Sequence, residues 1–230
     1  MSQITENLAE IHRRLVAAAS RAGRDPAAVR LVAVTKTVGL ERLQEAVAAG
    51  HTLFGENYVQ EAKKKIATLG PGLTWHFIGH LQSNKAKAAV GVFHLIHSVD
   101  RLRLAQALEQ AGARQGKVQD ILIQVNVAGE ETKSGAAPGE VHDLLMEISK
   151  MPHLRVVGLM TMPPWLSDPE EVRPYFRALR ELRDRLRQAR LVEGDLPELS
   201  MGMTGDFEAA VEEGATLVRI GTAIFGRRCG

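Results

Sequence analysis

The sequence has little cysteine, no long apolar run and almost no excess of either charge. Its single cysteine, Cys229, cannot form a disulfide within the chain, which fits a reducing compartment. No apolar run approaches the roughly 18 residues that a membrane-spanning helix needs. Basic residues number 29 and acidic residues 27, so we expect no surface that binds nucleic acid or another polyanion.

Signals for export and for a second domain are also lacking. Residues 1–6 do not show the charged and then apolar layout of a secretory signal peptide. We therefore expect a soluble cytoplasmic protein that binds no membrane. No low-complexity linker or break in composition interrupts residues 1–230, which predicts a single domain.

The basic residues are scattered, and their densest runs are 63–65, which is Lys-Lys-Lys, and the arginine-rich stretch 177–190. Both runs lie at helical spacing among acidic and apolar residues. We interpret both as solvated helix faces, because long basic side chains lay their stems along a helix and keep their charge in water.

Short apolar runs alternate with longer amphipathic stretches along the chain. The apolar runs are rich in Val, Ile and Leu and mostly do not alternate, which is typical of parallel strands covered on both faces. Eight strands are predicted, at 30–34, 52–55, 74–78, 94–99, 120–125, 155–160, 198–201 and 217–220.

The amphipathic stretches predict helices. An opening helix places Ile4, Leu8, Ile11 and Leu15 on one face and ends at Gly23. Further helices are expected at 40–49, at 58–69, from Asp100 as N-cap to Gly112, after Pro169, and from near Gly205 to Gly214.

Eight successive strand–helix units favour a closed (βα)8 TIM barrel with an extra N-terminal helix over an open doubly wound sheet. The glycine-rich patterns of nucleotide-binding folds do not follow the first predicted strand. The fold class expected from the sequence is therefore α/β, a single barrel.

Lys36 follows the apolar run of the first predicted strand. An ammonium at the tail of a buried strand is unusual, because desolvating an unpaired charge is costly. The carboxyl ends of barrel strands form the mouth in which active sites are built. Partial desolvation there lowers the pKa of a lysine, so that its free amine adds to an aldehyde. Lys36 considered alone favours the alternative, a lysine that extends into solvent.

Two loops with glycines and hydroxyl residues follow the last two predicted strands. They are 200–205, Ser-Met-Gly-Met-Thr-Gly, and 219–222, Arg-Ile-Gly-Thr. Small residues let backbone N–H groups approach an anion, and hydroxyls add donors. Loops after strands seven and eight of such barrels commonly bind phosphate. We therefore predict a phosphate site here, rather than ordinary turns.

Strands one and eight are neighbours in a closed barrel, so Lys36 is expected beside that phosphate site. A lysine amine next to a phosphate cradle suits an aldehyde that carries a phosphate. Pyridoxal 5′-phosphate (PLP) is such a ligand. A lysine-dependent phosphosugar aldolase would use the same arrangement, so these residues alone leave both hypotheses open.

Longer strings carry a resemblance to a known family. They are 31–36, 54–61 (Phe-Gly-Glu-Asn-Tyr-Val-Gln-Glu), 75–85, 199–203 and 219–226. Over essentially its whole length the chain closely resembles the pyridoxal phosphate homeostasis proteins, also called the YggS/PROSC family. Thr204 stands where that family usually has serine, and it retains the hydroxyl.

The resemblance implies the fold of the alanine racemase barrel domain, which is fold type III of PLP proteins. It also implies that PLP is held as a Schiff base on Lys36. By the same resemblance the phosphate is held by Ser200, Thr204, Gly221 and Thr222, while Arg219 faces the pyridine nitrogen and Asn57 the ring's hydroxyl side. It assigns no role to His76 or His80, for which we expect hydrogen bonding and no metal.

The arginine that the resemblance places at the ring nitrogen bears on whether the protein is a PLP carrier or a PLP-dependent enzyme. Arginine only donates hydrogen bonds, so it cannot stabilise a protonated pyridine, and the electron sink is weak. Racemase-type proton abstraction is the less demanding chemistry that this leaves open. A two-base racemase also needs a group opposite the lysine, which related racemases take from a second domain of a partner subunit. The only tyrosines here are Tyr58 and Tyr175. We expect a monomeric carrier that buffers PLP or delivers it to apo-enzymes, with an amino-acid racemase or an aldolase as alternatives.

Overall fold

Eight parallel strands close into a barrel in the computed structural model, which describes residues 2–130, 132–190 and 194–226. In chain order they are β1 (Arg30–Val34), β2 (Leu53–Glu56), β3 (Thr74–Phe77), β4 (Leu95–Val99), β5 (Gln119–Gln124), β6 (Leu154–Met160), β7 (Glu198–Ser200) and β8 (Leu217–Ile220). Each strand pairs with the next, and β8 pairs with β1. The predicted barrel is confirmed, and each predicted strand end lies within one residue of the observed end.

Helices cover the outside of the barrel. They are α1 (Gln3–Arg21), α2 (Leu40–Ala48), α3 (Val59–Leu69), α4 (Ala86–Val90), α5 (Leu102–Gln115), α6 (Val141–Ile148), α7 (Pro169–Gln188), α8 (Phe207–Glu212) and α9 (Thr222–Phe225). Short 3-10 helices lie at Pro26–Ala28, Ser83–Lys85 and Pro138–Glu140. Over the described residues, none of these helices combines the length and apolarity that crossing a bilayer requires.

The extra N-terminal helix is present as α1. Ser2 caps it, because the Ser2 hydroxyl accepts the Thr5 amide at 3.3 Å. Asn7 donates a hydrogen bond to the Ile224 carbonyl at 2.8 Å, which joins α1 to α9. The two helices therefore lie together beside the seam between β1 and β8.

The apolar core has two parts because side chains alternate along each strand. Leu31 and Ala33 of β1 belong to the large cluster between barrel and helices. Val32, between them, belongs to a separate small cluster that occupies the barrel interior with Leu95, Leu122, Met160 and Leu217. Most of the run 177–190 lies on α7, where Arg177 and Arg185 are exposed, as expected for a solvated face, whereas Arg180 and Arg183 are half-buried.

The helix predicted from Asp100 to Gly112 differs at both ends. Its N-cap is Arg101, and α5 continues to Gln115 before Gly116 adopts a left-handed conformation with φ of 61°. Gly112 is instead buried inside the helix, where an added Cβ would lie 2.8 Å from the Cβ of His153. The prediction was wrong because this glycine serves a close contact between elements and not a helix end.

Candidate functional site

Lys36 lies two residues beyond β1, at the carboxyl end of the barrel, and is half-buried. A tight turn surrounds it, in which the Val38 amide donates to the Thr35 carbonyl at 2.9 Å. Thr37 has a φ of 61°, and its amide donates to Glu61 Oε1 at 2.8 Å. A β-branched residue rarely adopts positive φ, because its Cβ crowds the backbone. Contacts from outside the turn therefore stabilise it.

A buried ion cluster provides those contacts. Lys65 on α3 is 5% exposed, and its ammonium lies 2.6 Å from each of Thr35 O, Glu56 Oε1 and Glu61 Oε1. The Thr35 hydroxyl donates to the same Glu56 oxygen at 2.6 Å. Because the Thr35 carbonyl belongs to the peptide group that precedes Lys36, the cluster fixes the backbone from which the Lys36 side chain extends.

The burial of Lys65 corrects the interpretation of the run 63–65 as a solvated face. Lys63 and Lys64 are exposed, whereas Lys65, about 100° further around the helix than Lys64, points at Glu56 of β2. Burial raises the pKa of Glu56, against the opposing hydrogen bonds from Lys65 and Thr35. A buried cation is tolerated there because carboxylates and a carbonyl satisfy its donors.

The end of β8 lies directly against the end of β1. Paired residues run from Arg30 with Leu217 to Ala33 with Ile220, so Gly221 follows beside Val34. A Cβ at Gly221 would lie 3.2 Å from the Val34 carbonyl oxygen and 3.3 Å from the Val34 Cβ. Glycine permits this close approach of two backbones. The structure therefore brings Gly221, and Thr222 after it, next to the segment that carries Lys36.

The loop after β7 presents backbone donors at the same end of the barrel. The Asp206 carboxylate accepts the Met203 amide at 2.6 Å, and the Asp206 amide donates to the Met203 carbonyl at 3.1 Å. The turn leads into α8, which begins at Phe207, two residues after the predicted start near Gly205. The amides of residues 204 and 205 donate to no acceptor among the described parts of the chain. They are donors that a ligand can use.

Arg219 projects from β8 into the barrel and is 4% exposed. Its guanidinium donates to Ser200 Oγ at 2.6 Å and to the Thr161 carbonyl at 2.9 Å. Burial lowers the pKa of Arg219 to about 10, and the charge of Asp206 opposes that shift. The guanidinium is therefore still protonated at neutral pH, so Arg219 is a fixed positive donor inside the barrel.

Ser200 has both of its side-chain partners inside the barrel. Its hydroxyl lies 2.6 Å from Arg219 Nη1 and 2.9 Å from His97 Nδ1, and the residue is fully buried. The contact with phosphate that the sequence predicts for Ser200 stays a prediction, because these hydrogen bonds engage the hydroxyl elsewhere. In contrast, Thr204 lies in the loop after β7, and Thr222 is the first residue of α9 after β8.

Asn57 follows β2 at the mouth and is half-buried. An added Cβ at Gly79 would lie 2.6 Å from the Asn57 carbonyl, so the segments after β2 and β3 touch here. Asn57 borders a 420 Å³ cleft together with Phe77 and His80. His80 Nδ1 lies 3.3 Å from the Ser134 hydroxyl, which agrees with the hydrogen-bonding role expected for it.

Two buried histidines complete the interior. His97 Nε2 lies 3.0 Å from His76 Nδ1, which confirms the hydrogen bonding predicted for His76. Burial lowers the pKa of His76 to about 3, aided by the positive charge of Arg30. Burial also lowers the pKa of His97 well below its usual value, aided by His76 and Arg219. His97 was not predicted from the sequence as a site residue, although its position within the apolar run 94–99 was an available signal.

Comparison with known proteins first defines the class. The family model of the alanine racemase N-terminal domain matches residues 6–229. The alanine racemase of Corynebacterium glutamicum has the same fold, with 19% sequence identity and a TM-score of 0.74. The alignment covers 98% of this chain and 61% of that racemase. The barrel and its mouth are thus those of an alanine-racemase-type domain.

Similar proteins then define the family within that class. The pyridoxal phosphate homeostasis protein of Aquifex aeolicus is 49% identical over 97% of both chains. The homeostasis protein of Escherichia coli is 41% identical over 99% of this chain and 98% of its own. PipY of Synechococcus elongatus, solved with PLP bound, is 38% identical with a TM-score of 0.84, over 97% of this chain and 100% of PipY. The chain belongs to the pyridoxal phosphate homeostasis family.

Replacing the buried Lys65 should destabilise the protein strongly. Lys65→Met leaves the Glu56 carboxylate buried without its cation, and loss of one partner of a buried pair costs about 3–5 kcal/mol. Urea unfolding at pH 7 measures this loss. The exposed neighbour variant Lys64→Met is the matched control and should change stability by less than about 0.5 kcal/mol. Equal stabilities of the two variants would contradict the cluster described above.

Acid should destabilise the protein through the interior histidines. Folding holds His76 and His97 neutral, whereas the unfolded chain takes up their protons below a pH of about 6.5. Their contribution is therefore present above pH 6.5 and is lost as the pH falls toward 3. Each histidine adds a slope of about 1.4 kcal/mol per pH unit over that window.

Urea unfolding between pH 7 and pH 5 tests this slope. Below pH 6.5, His97→Asn should flatten the pH dependence by up to about 1.4 kcal/mol per unit relative to wild type. His12→Asn, on the exposed face of α1, is the control and should leave the slope unchanged. A His97→Asn slope equal to that of wild type would show that His97 also titrates normally in the folded protein.

Proposed function

We propose that this protein binds PLP, attached covalently to Lys36, and takes part in PLP homeostasis by buffering the cofactor or delivering it to apo-enzymes. The observation that carries the proposal is barrel closure, which puts Gly221 against Val34 and so brings the ends of β1 and β8, followed by Lys36 and Thr222, to the same part of the mouth. An amine next to an anion site suits a ligand that has both an aldehyde and a phosphate. The PLP-bound structure of PipY supports the same ligand.

The groups at the mouth fit the phosphate. Gly221 lacks a side chain that would obstruct its amide, and Thr222 is exposed with its hydroxyl at the start of α9. The amides of residues 204 and 205 have no acceptor among the described residues. A phosphate dianion accepts hydrogen bonds and donates none, so a set made of N–H and O–H donors suits it.

Lys36 and Asn57 at the mouth and Arg219 below them fit the pyridine ring. The half-buried Lys36 supplies the amine to which the aldehyde attaches, and the Lys65 cluster holds the backbone behind it. Arg219 supplies a fixed positive donor for the ring nitrogen, and Asn57 lies at the same end of the barrel. When bound, PLP supplies an aldehyde and an electron-accepting ring. The residues of this chain bind it and set its orientation.

The charge state of Arg219 favours a carrier over a PLP enzyme that depends on a strong electron sink. The guanidinium keeps its proton at neutral pH and has no acceptor, so it cannot support a protonated ring nitrogen. Carbanion chemistry is weak without that proton. The alignments support the homeostasis role, because the chain covers 97% and 98% of two pyridoxal phosphate homeostasis proteins at 49% and 41% identity.

Lys36→Ala should abolish covalent attachment of PLP, because the variant lacks the amine to which the aldehyde is proposed to attach. Borohydride reduction of the wild-type protein after incubation with PLP, followed by peptide mapping, should find the pyridoxyl group on Lys36. Lys87→Ala, at an exposed position of α4, should retain that adduct. An adduct found in wild type only on another lysine would refute the assignment.

Delivery is tested separately with the loaded protein and the apo-form of a PLP-dependent enzyme. Activation of that enzyme faster than PLP is released into buffer alone supports direct delivery. Activation at the rate of spontaneous release leaves buffering as the role of the protein and contradicts direct delivery.

Thr222→Ala should weaken the retention of PLP by roughly one to two orders of magnitude. The variant lacks one hydroxyl donor to a dianion, and a hydrogen bond to a charged group contributes about 1.5–3 kcal/mol. Titration with PLP and with unphosphorylated pyridoxal measures the effect, and only PLP should lose affinity. Thr68→Ala on the exposed side of α3 is the control. Equal weakening of both ligands would show that Thr222 does not contact the phosphate.

A further inference from the structure

Four buried polar side chains form a continuous column inside the barrel. Arg219 Nη1 lies 2.6 Å from Ser200 Oγ, and Ser200 Oγ lies 2.9 Å from His97 Nδ1. His97 Nε2 lies 3.0 Å from His76 Nδ1. Each of the four residues is at most 4% exposed. They come from β8, β7, β4 and β3, so the column exists only because the strands surround one interior.

The column has one hydrogen-bond direction. Arginine only donates, so Ser200 Oγ accepts from Arg219, and its own proton is then available to His97 Nδ1. A neutral His97 that accepts at Nδ1 carries its proton on Nε2 and donates it to His76 Nδ1. The opposite direction would leave the fully buried Ser200 hydroxyl proton without an acceptor among its contacts, which is costly.

The far end of the column opens at the floor of the barrel, opposite the mouth. His76 borders a basin of 640 Å³ formed where the strands begin, next to Arg30, His94 and Glu198. In the assigned direction, the remaining His76 proton is on Nε2. The column thus extends from Arg219 through the interior to this basin.

The middle of the column determines how Arg219 is held. Arg219 Nη1 donates to Ser200 Oγ, and Arg219 Nη2 donates to the Thr161 carbonyl. The guanidinium has further N–H groups with which it can donate to a ligand. Ser200 can accept from Arg219 in this orientation without an unsatisfied proton only because His97 accepts from it. Both histidines stay uncharged beside the buried guanidinium, because burial disfavours their protonation.

We propose that His97 is a positioning residue for Arg219, acting through Ser200, and that His76 completes the column by accepting from His97. The inference rests on the proposed function, in which Arg219 faces the cofactor ring. His97 does not touch the ligand. It orients Arg219, the buried cation that faces the ring in the proposed function.

The direction of the column is tested without cofactor by ¹⁵N NMR of histidine-labelled protein at pH 7. Signals of His76 and His97, assigned by their loss in His76→Asn and His97→Asn, should both show a protonated Nε2 and an unprotonated Nδ1. A proton on Nδ1 of His97 would reverse the column and overturn the proposal. This measurement determines the hydrogen-bond direction of the column without bound PLP. Failure of the wild-type protein to take up PLP would refute the proposed function and not the direction of the column.

Positioning is tested with PLP-loaded variants. His97→Leu removes the acceptor for Ser200, and we expect a shifted absorption maximum of bound PLP and about tenfold faster cofactor release. His97→Asn places an amide oxygen near the former Nδ1 and should restore both properties. Leu122→Ala is the control, because it opens the barrel interior without a change in the column. If His97→Leu and Leu122→Ala give the same spectrum and release rate, His97 has only a structural role.

Discussion

Pairing of β8 with β1 is the contact on which the whole arrangement depends. The Arg30 amide donates to the Thr216 carbonyl at 2.8 Å, and the paired residues continue to Ala33 and Ile220. In an open sheet these two strands would be opposite edges, and Lys36 would be far from Gly221. Closure satisfies the backbone groups of both edges and places an amine beside a row of donors. The candidate site is therefore a consequence of the topology as much as of its residues.

Desolvation explains the polar residues that lie behind the mouth. A buried charge is costly unless its hydrogen bonds are satisfied. Lys65 meets that condition with two carboxylates and a carbonyl, while Arg219 meets it with a hydroxyl and a carbonyl. The hydrogen-bond partners of Arg219 are neutral, so neither of them neutralises its charge. Lys65 thus fixes the backbone before Lys36, and Ser200 and the Thr161 carbonyl hold the Arg219 guanidinium.

The strands were predicted accurately because parallel strands covered on both faces leave a local trace, an unbroken apolar run. Helix ends were less accurate where a glycine had another purpose. Gly112 permits α5 to approach His153, and the helix ends only at Gly116, which adopts the left-handed conformation. A sequence shows that a residue is glycine, but the neighbour that requires it comes from a distant part of the chain.

The sequence by itself determined the eight strands, the barrel, the position of Lys36 at a strand end and the two donor-rich loops, since each depends on local pattern and chain order. Tertiary structure alone decided which polar groups are buried. Lys65 follows two exposed lysines, and only its phase on α3 turns it toward Glu56. Ser200 and His97 meet inside the barrel although 103 positions separate them. The burial and protonation of a side chain depend on such long-range neighbours, which no local pattern encodes.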